Sequence, residues 1–352
     1  MIRVLILATS HKTRGGITSV VKAHQQGKQW TEYNCKWIET HIDTGMFMAL
    51  WYLFKSYLQF LFNLPFAKII HIHLSEPGSA MRKLLYFFPA HLFGKKTIVH
   101  FHAFSPDTTI NGKKQWVYRY IFSRANKVIV LSNTWKKAVY SKFNIKNIEV
   151  IYNPCITVIN DKQYQRQKQI LYAGTINARK GYADMIRAFA KIADMYKDWN
   201  IVFAGNGEVE QGKALAKELG IENQCKFLGW VNGEQKDKAF KEASIFCLPS
   251  YAEGFPMAVL DAWTYGLPVI TTPVGGIPDV AQNGENMLVF TPGDIDKLAD
   301  CMHKLIDDKE LYNRTSKAST HFANETFSLK EINSQIGNIY KELISNDKKK
   351  YN

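Results

Sequence analysis

Short runs rich in Val, Ile and Leu recur along the whole chain, and helix-length segments separate most of them. Uninterrupted apolar strands that alternate with helices indicate parallel sheets covered by helices on both faces. The candidate strands of the first half are residues 3–8, 35–40, 67–73, 96–102, 127–132 and 148–153, and those of the second half are 169–174, 200–205, 225–230, 243–250, 267–272 and 286–290. This alternation restricts the chain to the α/β class.

A polar segment that begins with a proline, residues 154–168, interrupts the alternation. A chain of 352 residues is long for a single core. We therefore predict two Rossmann-like β/α/β domains facing across a cleft, residues 1–160 and 161–330. A C-terminal helix at about 330–346 is expected to pack back on the first domain. In such sheets ligands bind beyond the carboxyl ends of the strands.

The five cysteines form no CxxC pair, and the N-terminus lacks the basic region and cleavage site of a secretory signal. Both features predict reduced thiols in a cytoplasmic protein. The longest apolar stretch, residues 46–64, carries Lys55, Gln59 and Asn63 at intervals of four. Because a membrane span would not carry so regular a polar stripe, we predict a packed or interfacial helix there.

Positive charge is concentrated in one half of the chain. Residues 1–160 have a net charge of +15 and residues 161–352 a net charge of −1. A solvated basic face explains this split, and so does attraction to a polyanion, either a membrane surface or a nucleic acid. Charge alone leaves these alternatives open.

Glycines follow two of the predicted strands. Gly15 and Gly16 separate the first strand from a helix, where backbone N–H groups can bind an anion. The sequence there is not GxGxxG, which argues against an NAD site, and a plain turn is the simpler interpretation. Gly205 and Asn206 end another strand, and a tight turn and a ligand contact are both compatible with them.

A pair of cations follows the strand at 169–174. Arg179 and Lys180 precede Gly181 and an amphipathic helix. Two cations beside a helix N-terminus suit a phosphate group, because the side chains and the helix dipole act together. We favour a phosphate clamp over an unrelated surface pair because the position matches the ligand-binding edge of the sheet.

Four histidines lie in two predicted strands of the first half. Alternation puts His71 and His73 on one face of their strand, and His100 and His102 on one face of theirs. No Cys or carboxylate companion at ligand spacing is evident, so no metal site is predicted. His102 ends its strand, a position that favours a role in the cleft.

Two acids flank a Gly-Phe-Pro turn in the sequence EGFPMAVLD, residues 253–261. Pro256 suits the first turn of a helix, which would place Glu253 beside the positive helix end. Asp261 would project from the same helix. Carboxylates accept hydrogen bonds from neighbouring hydroxyls, so the helix could bind the diols of two sugar rings. The alternative is a charge that complements the helix dipole plus an unrelated surface Asp.

The segment PSYAEGFPMAVLDAWTYGLPVITTPVGGIPDV resembles the E-x7-E region of the retaining glycosyltransferases of family 4, which have the two-domain GT-B fold. The resemblance covers nearly the whole chain. The other segments that carry it occur in the expected order: GGITSV, VIVLSN, IYNPCI, YAGTINARKG, VFAGNGE, FLGWV and PVGGIPD. The combination is highly specific, although each segment alone is not.

The resemblance implies a role for each matching residue. Glu253 would contact the transferred sugar, with help from the backbone amides of Gly254, Phe255 and Met257. Asp261 would hold the ribose, Arg179 and Lys180 would clamp the diphosphate, and Gly16 beside Gly15 would approach it from the first domain. His102 would face the sugar and the acceptor. Gly229 and Trp230 would lie near the base, and Gly205 and Asn206 would line the donor site.

Three positions depart from the family pattern. Asp261 stands where Glu is usual, which shortens its reach to the ribose by one methylene group. Thr175 stands where a basic residue often follows the strand-end Gly, leaving the clamp more dependent on Arg179. Met287 stands where a Gly is common.

The resemblance implies a retaining, metal-independent transferase without a cofactor, of the bacterial surface-polysaccharide type. It would move a hexose or N-acetylhexosamine from a nucleotide-diphosphate sugar, with UDP as the default nucleotide and GDP as its competitor. The acceptor would be a saccharide or lipid-linked molecule. The basic first domain would bind the anionic inner face of the plasma membrane. A nucleotide-sugar epimerase of the same fold is the nearer alternative. A basic nucleic-acid-binding protein is more distant, since no recognisable motif supports it.

Overall fold

A computed structural model of the chain describes residues 3–156 and 165–348. The strands in these residues are β1 (Val4–Ala8), β2 (Cys35–Glu39), β3 (Ile69–Leu74), β4 (Lys96–Phe101), β5 (Lys127–Val130), β6 (Ile148–Val150), β7 (Gln169–Ala173), β8 (Asn200–Ala204), β9 (Cys225–Gly229), β10 (Ile245–Leu248), β11 (Val269–Thr271) and β12 (Leu288–Val289). Each strand overlaps one of the predicted runs.

Helices occupy the segments between the strands and the C-terminal part of the chain. They are α1 (Gly16–Gln25), α2 (Lys28–Glu32), α3 (Met46–Asn63), α4 (Pro77–Leu92), α5 (Gln115–Arg124), α6 (Asn133–Phe143), α7 (Tyr182–Ala190), α8 (Val209–Glu218), α9 (Gly233–Glu242), α10 (Met257–Thr264), α11 (Ile295–Asp307), α12 (Lys309–Asn324) and α13 (Leu329–Lys348).

The chain forms two compact units. The first runs to Pro154 and resumes at Leu329, so that it includes α13; the second comprises Cys155–Ser328. The predicted boundary between residues 160 and 161 lies outside the described residues.

The first unit has a six-stranded parallel sheet in the order β2-β1-β3-β4-β5-β6. One face of this sheet packs against α3, α4 and α5 through residues such as Phe60, Tyr86 and Phe122. The opposite face is covered in part by α13, whose Ile336 and Tyr340 join the core there. The strand order reverses between β1 and β3.

The second unit has a six-stranded parallel sheet in the order β12-β11-β10-β7-β8-β9. Its chain moves outward from β7 to β9, returns to the other side of β7 at β10, and continues to β12. The order therefore reverses between β7 and β10, which is the ligand-binding position in doubly wound sheets. Two Rossmann-like α/β units, as predicted from the sequence, are confirmed.

The predicted helix of residues 46–64 is α3, and the polar residues of its stripe differ in exposure. Lys55 is exposed, Gln59 is half-buried and Asn63 is buried, where its side-chain oxygen accepts a hydrogen bond from Lys36 Nζ at 3.0 Å. The polar stripe thus runs into the packed face, and the outer face is apolar. Among the described residues, no helix combines the length and hydropathy needed to cross a bilayer.

Candidate functional site

The candidate site of the second unit lies at the carboxyl ends of β7 and β10. Two loops meet at this reversal point: residues 174–181 after β7, and residues 249–256 after β10. The first carries Arg179 and Lys180, and the second carries Glu253. The sequence separates these groups by more than 70 positions, and the sheet order brings them together.

The loop after β7 is held in a fixed conformation by its own residues. Asn177 Oδ1 accepts a hydrogen bond from the backbone N–H of Lys180 at 3.1 Å. Gly181 then adopts a left-handed conformation, with φ of 70°, and starts α7. A side chain at Gly181 would also collide with the Pro249 carbonyl oxygen, since a Cβ would lie 2.0 Å from it. This glycine therefore permits the two loops to touch.

Glu253 is buried, with 8% of its surface exposed, and one oxygen of its carboxylate has three polar neighbours. Lys180 Nζ lies 2.5 Å from its Oε1 atom, and the Ser250 hydroxyl donates to the same atom at 2.8 Å. Arg179 Nη1 lies 3.8 Å away. A buried carboxylate requires such partners, because an unpaired charge away from water costs several kcal/mol. The loop therefore places the buried Glu253 carboxylate beside two cations.

Further contacts fix the two loops to each other. The Arg179 side chain donates to the Ala252 carbonyl at 2.5 Å, and the Arg179 carbonyl accepts from the N–H of Tyr251 at 2.8 Å. The Tyr251 hydroxyl donates to Asp184 on α7 at 2.7 Å. This bond to the carboxylate raises the pKa of Tyr251. Charged groups held this rigidly suit binding of a ligand without a large ordering cost.

Helix α10 begins at Met257, and Pro256 is its N-cap in extended conformation. The sequence predicted Pro256 in the first helical turn and Glu253 stabilised by the helix end. The structure shows instead that side chains hold the Glu253 carboxylate, because its polar partners are Lys180 and Ser250. Glu253 lies three residues before Pro256, and neither of these partners belongs to α10.

Asp261 lies in the second turn of α10 and is paired with a residue that the sequence did not reveal. Its Oδ2 atom is 2.7 Å from Lys236 Nζ on α9, and the two side chains are 17% and 37% exposed. Lys236 belongs to no recognisable sequence motif. Only the packing of α9 beside α10 identifies it as the partner of Asp261. The shorter Asp side chain is therefore already occupied by a cation.

The backbone amides predicted to assist Glu253 lie in a packed turn. The Gly254 carbonyl accepts from the N–H of Gly276 at 2.8 Å. The Phe255 side chain is buried against Trp263 and Phe327, so that only its backbone remains for a ligand. Met257, the first residue of α10, is half-buried.

Four other predicted residues lie at the same carboxyl edge of the sheet. Gly205 follows β8, and a Cβ there would lie 1.8 Å from the Gly174 carbonyl oxygen. This close approach alone requires a glycine. Asn206 beside it is exposed. Gly229 ends the edge strand β9 with a φ of 69°, and the Trp230 side chain that follows is 41% exposed.

In the first unit, Gly15 and Gly16 lie where the strand order reverses, after β1. Gly15 is the N-cap of α1, and both residues are exposed. His102 follows the last residue of β4 rather than ending the strand, and its N–H donates to the Leu74 carbonyl at 2.8 Å. These groups again occupy the carboxyl edge of a parallel sheet.

The strand histidines form one buried stack. β3 and β4 pair in parallel with His73 opposite His100, so both histidine pairs face the same side of the sheet. The His73 and His100 rings stack at 4.9 Å, and His100 stacks on His102 at 4.2 Å. His24 of α1 lies 6.1 Å from His100 between ring centroids.

Burial keeps all five rings neutral. It lowers the pKa of His24 to about 4 and that of His102 to about 3, and it lowers the pKa of each of the other three well below 6.5. His73 Nδ1 lies 2.9 Å from His102 Nε2, and His73 Nε2 has no partner. A proton on His73 Nδ1 leaves no buried N–H unpaired, so His73 donates and His102 carries its proton on Nδ1.

Ring nitrogens of His71, His73 and His100 lie within 4.8 Å of one another. An imidazole binds a metal in the plane of its ring, at about 2.0–2.1 Å for zinc. The His71 and His73 planes are 14° apart and those of His73 and His100 are 28° apart. Nearly parallel stacked rings cannot direct their lone pairs at one ion without turning. We therefore assign the stack no metal.

Comparison with known proteins identifies both units. The profile described as "Glycosyltransferase Family 4" matches residues 32–157, and that of "Glycosyl transferases group 1" matches residues 159–322. An uncharacterized glycosyltransferase of Haemophilus influenzae is 30% identical over 59% of this chain and 59% of its own length. A lipopolysaccharide 1,6-galactosyltransferase of Salmonella typhimurium is 26% identical over 62% of each chain. This chain thus spans about three fifths of either relative.

Solved structures share the fold at low sequence identity. The Anabaena protein HepE in complex with UDP-glucose has a TM-score of 0.78 at 18% identity, over 97% of this chain and 100% of that one. Sucrose-phosphate synthase of Thermosynechococcus elongatus has a TM-score of 0.80 at 16% identity, over 98% and 100%. With both profiles matched in order, the chain belongs to the family 4 glycosyltransferases of the GT-B fold.

Proposed function

We propose that the chain is a retaining, metal-independent hexosyltransferase of bacterial surface-polysaccharide assembly. It moves a hexose or N-acetylhexosamine from a nucleotide-diphosphate sugar, first of all a UDP-sugar, to a saccharide or lipid-linked acceptor. The observation that carries the proposal is the buried Lys180–Glu253 pair at the reversal of strand order, with Arg179 beside it. The names of the Salmonella relative and of the HepE complex agree with this choice.

Donor binding exchanges the partners of the pair. The diphosphate carries two or more negative charges and attracts Lys180 and Arg179. When Lys180 turns to the diphosphate, Glu253 is left with the Ser250 hydroxyl on one oxygen and can accept hydrogen bonds from sugar hydroxyls. The salt bridge therefore gives the buried carboxylate a partner until the hydroxyls of the sugar replace the lysine.

The chemical step requires charge stabilisation at the leaving group. As the bond between the anomeric carbon and the diphosphate oxygen breaks, its electron pair goes to that oxygen, beside Lys180 and Arg179. The acceptor oxygen bonds to the same face of the sugar, and its proton passes to the departing phosphate oxygen. Two cations then supply the charge that a divalent metal supplies in other transferases.

The remaining residues position the two substrates. Asp261 binds the ribose, and Trp230 with Gly229 lies near the base. Gly205 and Asn206 line the donor site, as do the backbone groups of Gly254, Phe255 and Met257. Gly15 and Gly16 approach the diphosphate and His102 the sugar and acceptor. The basic residues 1–160 bind an anionic membrane surface on its cytoplasmic face, where a lipid-linked acceptor would lie.

A panel of UDP- and GDP-sugars tests the proposal by thermal shift, because a ligand that binds the native state raises its Tm. We expect a UDP-sugar to raise the Tm of the wild type. The Lys180→Ala variant should lose the shift, whereas Lys213→Ala, which removes an exposed lysine on α8, should retain it.

Comparing the products made with and without acceptor then distinguishes sugar transfer from the alternative functions. Sugar transfer that requires an acceptor supports the proposal. Conversion of the donor to another nucleotide sugar without any acceptor would show an epimerase and overturn it. Absence of a Tm shift with every nucleotide sugar would overturn it as well.

A further inference from the structure

Helix α3 exposes an unusual amount of apolar surface. Of the 21 large apolar side chains that are exposed in the described residues, nine lie on this one helix. Phe47 and Phe62 are 81% and 77% exposed. Scattered single residues need no explanation, but a contiguous exposed patch of this kind marks an interaction surface.

The exposed side chains form a stripe along the helix. Five of them recur at intervals of four, three, four and three positions, which places them on one face of an α-helix: Phe47, Trp51, Phe54, Leu58 and Leu61. We call these five residues the outer stripe. From Phe47 to Leu61 the stripe extends over about 21 Å of the helix.

The opposite face of α3 anchors it to the first unit. Phe60 packs edge-on against Tyr86 of α4, with ring centroids 5.3 Å apart. The Ser56 and Tyr86 hydroxyls are hydrogen-bonded at 2.6 Å. One side of the helix is therefore packed on the protein. Its apolar side chains are exposed on the other side although the helix is firmly attached. Its neighbour α4 exposes a second row of apolar side chains: Leu85, Phe88 and Leu92.

The charges around the stripe point to lipid rather than to a protein partner. Between Asp43 and Asp107 the sequence has one acidic residue, Glu76, and six lysines and arginines, of which Lys55 and Lys68 are exposed and Lys83 is buried. The Glu76 carboxylate is bonded within the protein. It accepts hydrogen bonds from the N–H of Phe104 at 3.2 Å and from the Thr108 hydroxyl. Lys55 lies beside the stripe and is exposed.

This composition matches a helix lying in a membrane surface. Interfacial helices combine aromatic and aliphatic residues on one face with lysine or arginine at its margin. Protein interfaces that form and dissociate usually include a polar rim and hydrogen bonds, and the outer stripe offers no side-chain donor except the indole of Trp51. Since α3 is no candidate span, it would lie parallel to the bilayer plane.

We propose that α3 inserts its outer stripe among the acyl chains of a phospholipid bilayer, so that apolar contact rather than charge holds the enzyme on the membrane. The inference deepens the proposed function, on which it rests for the cytoplasmic location and the lipid-linked acceptor. Electrostatic attraction of the basic half would bring the protein to the surface. Insertion of the stripe would then retain it there.

Vesicle sedimentation in high salt separates insertion from attraction. In about 1 M salt the screening length falls to about 3 Å, which removes most of the attraction between exposed charges. We expect the wild type to remain bound to phosphatidylcholine vesicles, which have no net charge, under these conditions. A Trp51→Ser, Phe54→Ser, Leu58→Ser triple variant should bind at least tenfold more weakly.

A matched control removes exposed apolar side chains elsewhere. Tyr140→Ser with Met195→Ser replaces side chains that are 50% and 63% exposed, one in each unit, and should leave binding unchanged. Wild-type binding to anionic vesicles alone, lost in high salt, would overturn insertion. Equal loss in the control would also overturn it, and so would a wild-type dimer that the triple substitution converts to monomers while neither form binds vesicles.

The donor-induced Tm shift, measured on the same preparations, distinguishes this inference from the function. Wild type that a nucleotide sugar stabilises but that does not bind vesicles would overturn insertion only. Wild type that binds vesicles through α3 but responds to no nucleotide sugar would overturn the proposed function only. An unchanged donor response in the triple variant also shows that it is folded.

Discussion

The two units bury polar groups in opposite ways. In the second unit, Glu253 is buried as a charge and is matched by Lys180, Arg179 and Ser250. In the first, the five stacked histidines are neutral; His102 is half-buried, and the four buried ones have ring nitrogens without a partner: His24, His71, His73 and His100. The charged cluster depends on complete pairing, whereas the stack depends on remaining uncharged.

This difference in charge is consistent with different proposed roles for the carboxyl edges of the two parallel sheets. A paired charge can exchange one partner for a ligand, which is what binding a diphosphate requires. A neutral stack repels no cation and attracts no anion, which is compatible with the proposed role of His102 as a hydrogen-bonding group. Changes that unpair the first cluster or charge the second should therefore be the most damaging.

The largest effect is expected from unpairing the charged cluster. Lys180→Ala removes the closest partner of a buried carboxylate and leaves Arg179 at 3.8 Å. Loss of one partner of a buried pair costs about 3–5 kcal/mol, and the partial exposure of Arg179 places our expectation near the lower limit. Chemical denaturation of the full chain, with the free energy of unfolding determined for the second unit, measures this cost. A loss no greater than that of Lys213→Ala would show that the pair is not structurally important.

The next effect comes from charging the histidine stack. Because burial lowers the folded-state pKa of each ring below 6.5, the unfolded chain takes up protons first as the pH falls. Their contribution to stability is complete above about pH 6.5 and declines below it, by up to about 1.4 kcal/mol per pH unit for each ring.

Hydrogen exchange at pH 7 and pH 5 reports this decline separately in each unit. After correction for intrinsic rates, protection of β3 and β4 should fall more than that of β7 and β8. The second unit is an internal control, because its histidines, His303 and His321, are both exposed. Equal changes in the two sheets would contradict a role for the stack.

A smaller effect is expected at Asp261, the proposed ribose contact. Asp261→Glu adds the methylene group that the family usually has, but its carboxylate must still share Lys236 Nζ. We expect UDP to bind a few-fold more tightly if reach limits the contact. In Lys236→Gln, the carboxylate is released and Asp261 should bind the ribose better without lengthening. Unchanged affinity in both variants would remove Asp261 from the donor site.

The smallest effect has the opposite sign. Both ring nitrogens of His100 lack a partner and the side chain is fully buried. His100→Phe replaces this ring with an apolar ring of similar shape and removes an unsatisfied N–H group, which should stabilise the first unit by about 1 kcal/mol or leave it unchanged. A rise in Tm is the expected result. A clear fall would indicate a contact of His100 that its neutral, unpaired state does not explain.

Local sequence patterns were sufficient to predict the sheets. Short apolar runs marked every strand of the described residues, and the restart after residue 168 marked the second unit. The sequence also placed Arg179, Lys180 and Glu253 at strand ends. Their contact follows from the strand order, in which β10 returns beside β7, and no local pattern encodes that order.

The remaining features depend on long-range packing. His24 Nδ1 donates to Asn333 Oδ1 at 2.8 Å across 309 positions, and His71 is bonded to Tyr340 on α13. Lys236 reaches Asp261 only because α9 packs beside α10. The sequence also left the outer face of α3 open, since periodicity shows that a helix has two faces but not which of them the protein covers.

The central claim is that Glu253 serves the sugar while Lys180 serves the diphosphate. Calorimetric titration of UDP into wild type, Glu253→Gln and Lys180→Ala tests it, with sugar transfer assayed on the same samples. Glu253→Gln should bind UDP at least as tightly as wild type, because it releases Lys180, and should lose transfer at least 100-fold. Lys180→Ala should lose UDP affinity at least tenfold. Wild-type transfer by Glu253→Gln, or equal loss of UDP binding in both variants, would contradict this division of roles.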